Sequence, residues 1–572
     1  MQRKSGPCST GEHRAGAPNG SPTMRFLRVL FGRRSRSRDG LVLAIVLSAV
    51  GTAAITVIVN SVADRPINSE IDFAKLVMFV LATALSVGGQ SQTLDMSSAL
   101  AERLLQSLRL RIAERVRHAD LATIERVGIA RIYTTLARDT AVLSEASALV
   151  MHGAITSIAM VLTGLYVAWL SPFAFAVVAI LFAATVYFYR VSQRNSRAAL
   201  LAAGDAETDY LGRFRHLLDG FKEVKMHQRR ADDLQQVHLA MQSALTQDLK
   251  RAASRRINYG LSISHLSFSL LLATVVFALP QHLESRETAV KVTYVVIFLL
   301  STLNVVMRAL PMLIKANLAL DSLDRLEADL AAGGHGPELL AASPGSEFDL
   351  IELNQVVHSY RDGDGRSQFT VGPCSLTIRP GEVVVLVGAN GSGKSTILRL
   401  LTWLYEPHSG VVLWNRRLVD HANVADYRTL FSAVFSEFHL FDRLYGLAEV
   451  GEERVNALLA DLGLADRVKF AAGQFSTLEL SSGQRKRLAL AVALLEDRPI
   501  LLLDEFTADQ DPAFRERFYT RILPDLRAAG KTVVLVSHDP NPYGVADQVL
   551  TMRDGRIVDP QTAPEPPCHG SE

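Results

Sequence analysis

Apolar residues in this 572-residue chain gather into long runs before about residue 318, and that placement limits the fold more than any other feature. The runs lie at 41–62, 73–89, 146–170, 172–191, 257–279 and 290–313. A helix needs about 20 mainly apolar residues to cross a bilayer, and each run has that length or nearly so. Lipid offers the backbone no hydrogen-bond partners, so each run is expected to cross as a helix. Six crossings predict an all-α six-helix membrane domain over 39–318. An even number of crossings returns the chain to the side on which it began. The mean hydropathy of +0.17 reflects these runs, because the remainder reads as a soluble domain.

The residues before the first run, 1–38, are rich in Gly, Ser, Pro and Arg and end in Arg33-Arg34-Ser35-Arg36-Ser37-Arg38. They lack apolar periodicity and are expected to be a disordered basic tail. A basic flank before an apolar run also fits a cleaved signal peptide. The run is long for that purpose, and cleavage would leave five spans.

Loop charge sets the orientation. The connection between the first two spans carries Asp64, Arg65, Glu70 and Asp72, and that between the last two carries Glu284, Arg286 and Glu287. The two long intervening segments hold Arg103, Arg109, Arg111, Arg115, Arg117, Arg126, Arg131 and Arg138, and then Arg190, Arg194, Arg197, Arg213, Arg215, Lys222, Lys225, Arg229 and Arg230. The basic excess predicts that both long segments, and both chain ends, face the cytoplasm. Few Gly or Pro interrupt them, so the spans are expected to continue outward as helices. Short crossing helices near 120–131 and 210–225 would meet the soluble domain. Asn304, Arg308 and Lys315, near a Pro311 break in the sixth span, are candidates for contact with a cargo.

A linker is expected at 319–347, where Gly333-Gly334-His335-Gly336-Pro337 and Ser343-Pro344-Gly345 break any periodicity. The soluble domain is expected over 348–559, followed by a loose Pro-rich tail at 560–572. Net charge is only +2, which gives no sign of a nucleic-acid partner. Cys8, Cys374 and Cys568 lack metal-ligand spacing and read as incidental thiols.

The soluble half carries readable chemistry. Val383-Val384-Val385-Leu386-Val387 has the β-branched character of a strand and leads into Gly388-Ala389-Asn390-Gly391-Ser392-Gly393-Lys394-Ser395. Thr396 and the residues after it continue as a helix. Strand, glycine-rich loop and helix in that order form a phosphate cradle. Backbone N–H groups and the helix start favour an anion there. Gly388, Asn390, Gly391, Ser392, Gly393, Lys394, Ser395 and Thr396 are therefore expected to bind a nucleoside triphosphate. Lys394 would reach the β- and γ-phosphates and Ser395 would ligate Mg²⁺. Ile500-Leu501-Leu502-Leu503 reads as a buried strand that delivers Asp504 to the metal and Glu505 to the attacking water. A second apolar strand, 533–536, leads to Ser537 and His538. Ser481 and Gly483, with Gln484, precede a helix expected over 485–495 and offer a second anion site.

These residues resemble the cyclic-peptide export ABC transporters, a bacterial group linked to lipopeptide toxins, microcins and peptide siderophores. The marks are Leu430-Phe431-Ser432-Ala433-Val434-Phe435, Gly483-Gln484-Arg485-Lys486-Arg487-Leu488-Ala489-Leu490 and Asp504-Glu505-Phe506-Thr507-Ala508-Asp509-Gln510-Asp511-Pro512. Most ABC exporters have S-A-L-D where this chain has Ala508-Asp509-Gln510-Asp511. The resemblance implies an α/β P-loop ATPase fused to the six-helix membrane domain, with long intracellular loops as mechanical links. It implies Tyr360 as an adenine platform and His538 as the switch histidine. Glu505, His538 and Lys394 would be the catalytic set. The site at 480–484 would serve ATP held by an opposite subunit, which makes a homodimer the simplest assembly, with a heterodimer still open. One departure stands out. Where the family places a Gln that senses Mg²⁺, this chain has Ser436 within Phe435-Ser436-Glu437-Phe438, so Ser436 joins Ser395 and Asp504 as a metal candidate. The implied cargo is peptide-like: a cyclic peptide, lipopeptide or siderophore precursor, moved across the bacterial inner membrane among its lipids. A lipid or glycolipid flippase, a multidrug exporter, and a membrane-tethered regulatory ATPase stay open at this point.

Overall fold

The computed structural model describes residues 25–31, 36–62, 72–193, 196–282, 285–333, 348–361, 367–537 and 544–558. The chain divides into two compact units. One is Met1–Ala113 with Ala130–Glu327, and the other is Glu114–Ile129 with Ala328–Glu572.

The helices up to residue 331, in chain order, are α1 (Arg25–Phe31), α2 (Arg36–Val62), α3 (Phe73–His118), α4 (Leu121–Val127), α5 (Ile129–Leu170), α6 (Pro172–Gln193), α7 (Ser196–Asp219), α8 (Phe221–Met226), α9 (Gln228–Asp232), α10 (Ala240–Ala273) and α11 (Arg286–Ala331). Among the described residues, five helical stretches are long and apolar enough to cross a membrane. A sixth apolar stretch, Pro172–Tyr187 within α6, is shorter. All six expected runs thus lie in helices, and α3, α5 and α11 extend well beyond the apolar part. Large apolar side chains such as Trp169, Phe277 and Leu81 point outward at 80%, 77% and 63% exposure, as suits a lipid-facing surface. Inside the unit, α2 and α3 approach closely through small residues. A Cβ on Gly51 would lie 2.6 Å from Ser86 N, and one on Gly89 2.8 Å from Ser48 N. Thr52 Oγ1 and Ser86 Oγ share a hydrogen bond of 2.8 Å across the same seam.

Two expectations need correction here. Part of the tail expected to be disordered is ordered: residues 25–31 form α1, and α2 already begins at Arg36. Phe26 is fully buried, and its N–H donates to Asn317 Oδ1 at 2.8 Å. Arg25 pairs with Asp321 and Asp324 at 2.9 and 2.6 Å. Seven residues are too few for periodicity to register, and their stability comes from this docking. Nor does Pro311 break the sixth span. Helix α11 runs through it to Ala331, so the first part of the expected linker is the span's own continuation. Pro removes one helical N–H, and a packed helix tolerates that loss.

The second unit is built on β1 (Ile351–Arg361), β2 (Ser367–Ile378), β3 (Val383–Gly388), α12 (Lys394–Leu401), β4 (Ser409–Trp414), β5 (Arg417–Leu418), α13 (Val424–Arg428), β6 (Phe431–Val434), α14 (Glu452–Asp461), β7 (Phe470–Ala471), β8 (Gln474–Phe475), α15 (Ser482–Leu495), β9 (Ile500–Asp504), α16 (Pro512–Arg517), α17 (Leu523–Ala528), β10 (Thr532–Val536), β11 (Gln548–Arg553) and β12 (Arg556–Val558). Its main sheet has the order β12-β11-β3-β10-β9-β6, beside a four-stranded sheet β2-β1-β4-β5. Strands β3, β9 and β10 are parallel and buried on both faces, hence their unbroken apolar runs. Their side chains alternate between two cores. Val383, Val385, Leu501, Leu503, Val533 and Leu535 join one, and Val384, Leu386, Leu502, Val534 and Val536 join the other. Each fully buried side chain of this kind contributes about 1.5–3 kcal/mol. The free thiol of Cys374 is buried in the second core, and burial raises its pKa.

Segment Glu114–Ile129 clusters with this unit rather than with the spans that flank it. Helix α4 is the crossing helix expected at 120–131, and Leu121 packs against the second core. The other expected tip, 210–225, contains the end of α7 and most of α8, and lies in the first unit.

Candidate nucleotide site

Parallel register places the ends of three strands on one edge. Val536 pairs with Asp504 on one side and with Leu386 on the other, so the loops after β3, β9 and β10 emerge together. Ligands of open α/β sheets sit at this carboxyl edge. The loop after β3 turns through Gly391 and Gly393 at φ 78° and 101°, a region open to glycine, and α12 starts at Lys394. Lys394 is buried and donates to the carbonyls of Gly388 and Ala389, both at 3.0 Å. Burial lowers its pKa, against the pull of Glu505 and Asp504. Ser392 Oγ is buried without a hydrogen-bond partner, as a group poised for a phosphate oxygen would be. Ser395 and Thr396 occupy the first turn of α12, and Thr396 Oγ1 shares a 3.0 Å hydrogen bond with Tyr360 OH. The hydroxyl of Tyr360 is thereby held over the start of the phosphate-loop helix.

Asp504 is 1% exposed at the end of β9. One carboxylate oxygen accepts from Ser436 Oγ at 2.9 Å, and the other is buried with no partner. An orphaned buried carboxylate oxygen is costly, and Mg²⁺ would relieve that cost. The residues present therefore fit a divalent cation. Ser436, two residues beyond β6, is turned inward to Asp504. Glu505 follows at φ 52°, an uncommon conformation for a residue with a side chain and one that stores strain. Its N–H donates to Val536 O at 3.1 Å, which holds that turn. His538 lies outside the described residues, and Ser537 before it is buried and linked through Tyr519 OH to Thr507.

Ser481, expected as a donor to an anion, is the N-cap of α15, and the helix begins earlier than 485, at Ser482. Ser481 and Gln484 bond each other reciprocally in a capping box. Gly483 sits where any Cβ would lie 2.5 Å from Asp509 O. The sequence marked Gln510 only as a family sign. In the fold it is buried, donates to Gly483 O at 3.1 Å and accepts from Arg487 Nε at 2.8 Å. Lys486 on the same helix donates to Glu505 O and pairs with Asp509, each at 2.7 Å. The start of α15 is thus wired to the backbone of Glu505. Sequence reasoning missed Lys486 and Gln510 as connectors. Their signal was two side chains of hydrogen-bonding type at positions that the fold buries.

The family model described as ABC transporter transmembrane region matches residues 40–310, and that described as ABC transporter matches residues 371–508. The ATP-binding protein SyrD of Pseudomonas syringae pv. syringae is 33% identical over 477 residues, covering 80% of this chain and 82% of SyrD. The chain belongs to the ABC transporter family. It is a membrane protein that binds ATP and couples its hydrolysis to transport. A probable syringafactin export ATP-binding/permease protein, SyfD of P. syringae pv. tomato, is 34% identical over 230 residues, 37% of this chain and 33% of SyfD. The macrolide export ATP-binding/permease protein MacB of Bordetella avium is 35% identical over 235 residues, 38% of this chain and 35% of MacB. The solved structure of a bacterial Atm1-family ABC exporter with ATP bound superposes with a TM-score of 0.75 over 92% of this chain and 94% of that one. At 20% identity that likeness shows the fold.

Proposed function

We propose that this ABC transporter exports a peptide-like product, a cyclic peptide, lipopeptide or siderophore precursor, across the bacterial inner membrane as a homodimer. Its amino-terminal end and ATPase would be cytoplasmic, as the basic excess of the two long loops favours. The observation that carries the cargo reading is the Ala508-Asp509-Gln510-Asp511 segment. It is the family's mark in the sequence, and in the fold its Gln510 is a buried connector to α15. Similarity to a probable syringafactin exporter points the same way.

In this reading ATP lies along the 388–395 loop with its base on Tyr360. Lys394 exchanges its two carbonyl partners for β- and γ-phosphate oxygens. Ser395, Asp504 and Ser436 would hold Mg²⁺, which would supply charge neutralisation on the phosphates. The Glu505 carboxylate takes a proton from water as that water attacks the γ-phosphorus. The bond to the β–γ bridging oxygen breaks, and ADP and phosphate leave. His538 orients the water. Ser481, Gly483 and Gln484 cover the γ-phosphate of the partner subunit's ATP, so each site needs two chains. Lys315, exposed and lining a cavity of about 650 Å³ with Arg131, Asp139 and Arg325, remains a cargo candidate.

The test is ATP hydrolysis in lipid discs against a panel of cyclic peptides, siderophore peptides, macrolides and lipids. Selective stimulation by one peptide class supports the proposal. Stimulation by lipids alone moves the reading to a flippase.

A further inference from the structure

The edge of the nucleotide site that faces the base is joined by a chain of side-chain contacts to α4, the helix that the loop between two spans contributes. Tyr360 ends this chain on the nucleotide side, and its ring meets that of Tyr405 edge to face with centroids 5.9 Å apart. Tyr405 is 2% exposed and lies flat on His358, rings 4.5 Å apart and 3° from parallel. Its hydroxyl accepts from Arg399 Nη1 at 2.9 Å and donates to the Glu125 carboxylate of α4 at 2.8 and 3.0 Å. A phenol bonded to an ionised carboxylate is stronger and more directional than a neutral pair. Burial and the bond to Glu125 both keep this phenol protonated, so it stays a donor.

Two further observations favour a second arrangement of this contact. A cavity of about 240 Å³ lies beside Tyr405, lined by Asp120, His358, Trp403, Glu406 and His408. His358 Nδ1 is buried and has no hydrogen-bond partner, a cost that a shifted arrangement can relieve.

We propose that Tyr405 and Glu125 are positioning residues that report the nucleobase to α4. A base stacked on Tyr360 fixes that ring, the ring fixes Tyr405, and Tyr405 holds Glu125. Helix α4 then responds to the base as well as to the phosphates. This rests on the reading of Tyr360 as the base platform. Reporting requires the two arrangements of Tyr405 to differ in free energy with and without a base.

The test is amide hydrogen exchange on the full chain in lipid discs, followed at residues 388–401 and at 121–127. The probes are a non-hydrolysable ATP analogue with Mg²⁺ and inorganic tripolyphosphate with Mg²⁺. The ATP analogue is expected to slow exchange in both segments, at 121–127 by about tenfold, the ratio that one hydrogen bond to a charged group is worth. Tripolyphosphate is expected to protect only 388–401. Tyr405→Phe and Glu125→Gln should each abolish the response at 121–127 while keeping that at 388–401. A purely structural role would shift exchange in the nucleotide-free protein and leave the nucleotide-dependent difference intact. Equal protection of 121–127 by both probes in the unmodified protein overturns the proposal, as does a full response in both variants. Protection absent at 388–401 with the ATP analogue would sink the nucleotide-site reading itself, and this inference with it.

Discussion

Glu505 stands on a strained backbone at φ 52°, next to a buried Asp504 whose second oxygen lacks a partner. Strain of this kind persists where the surroundings over-determine it, here through the Val536 carbonyl and the Lys486 ammonium. Glu505→Gln keeps the shape and removes the base. Turnover should fall by about a hundredfold or more while ATP binding remains, which single-turnover and nucleotide-binding assays separate. Gln510 makes a different prediction. Gln510→Leu restores the more common S-A-L-D spelling at this position but removes the second bond to Gly483 O and leaves Arg487 Nε without its partner. It should destabilise the ATPase unit by about 1–3 kcal/mol, visible in denaturant unfolding. Most of this site was legible because Gly388–Lys394 chemistry is local: strand, loop and helix are consecutive in the chain. Ser436 was legible as a departure, but its bond to Asp504 depends on β6 lying beside β9, a neighbour relation that no local pattern encodes.

At the scale of elements, long apolar runs marked the apolar helices and short unbroken apolar runs marked the central strands, since both signals follow from what surrounds the backbone. Helix α1 was not legible. Its order comes from Phe26, buried against the distant end of α11, and from the N–H that Asn317 accepts. Phe26→Ala should therefore cost about 3–5 kcal/mol, the range for emptying a buried aromatic site. Arg25→Ala, which removes partly exposed ion pairs, should cost under about 1 kcal/mol. Thermal unfolding of the two variants in lipid discs gives the comparison, and equal shifts would mean that α1 is held by charge. Helix α4 was anticipated from the length of its loop, but its grip was not. Tyr405 and Glu125 lie 280 positions apart, and only the fold brings them together.

For the whole molecule, one chain supplies one phosphate loop and one candidate anion site at the start of α15. The proposal that these complete each other only between two chains gives a genetic test. Lys394→Ala and Ser481→Ala each spoil both sites of a homodimer. Co-expressed under two tags and purified through both, a mixed dimer keeps one intact composite site and should regain ATPase activity that neither variant has alone. No recovery would mean that each chain completes its own site. The most direct test of the central claim is ATP-dependent uptake of a labelled cyclic lipopeptide into inside-out vesicles that contain this protein. The account predicts accumulation that needs hydrolysable ATP and is lost in Glu505→Gln. Vesicles that hydrolyse ATP normally but accumulate neither this nor any other peptide of the panel would contradict it.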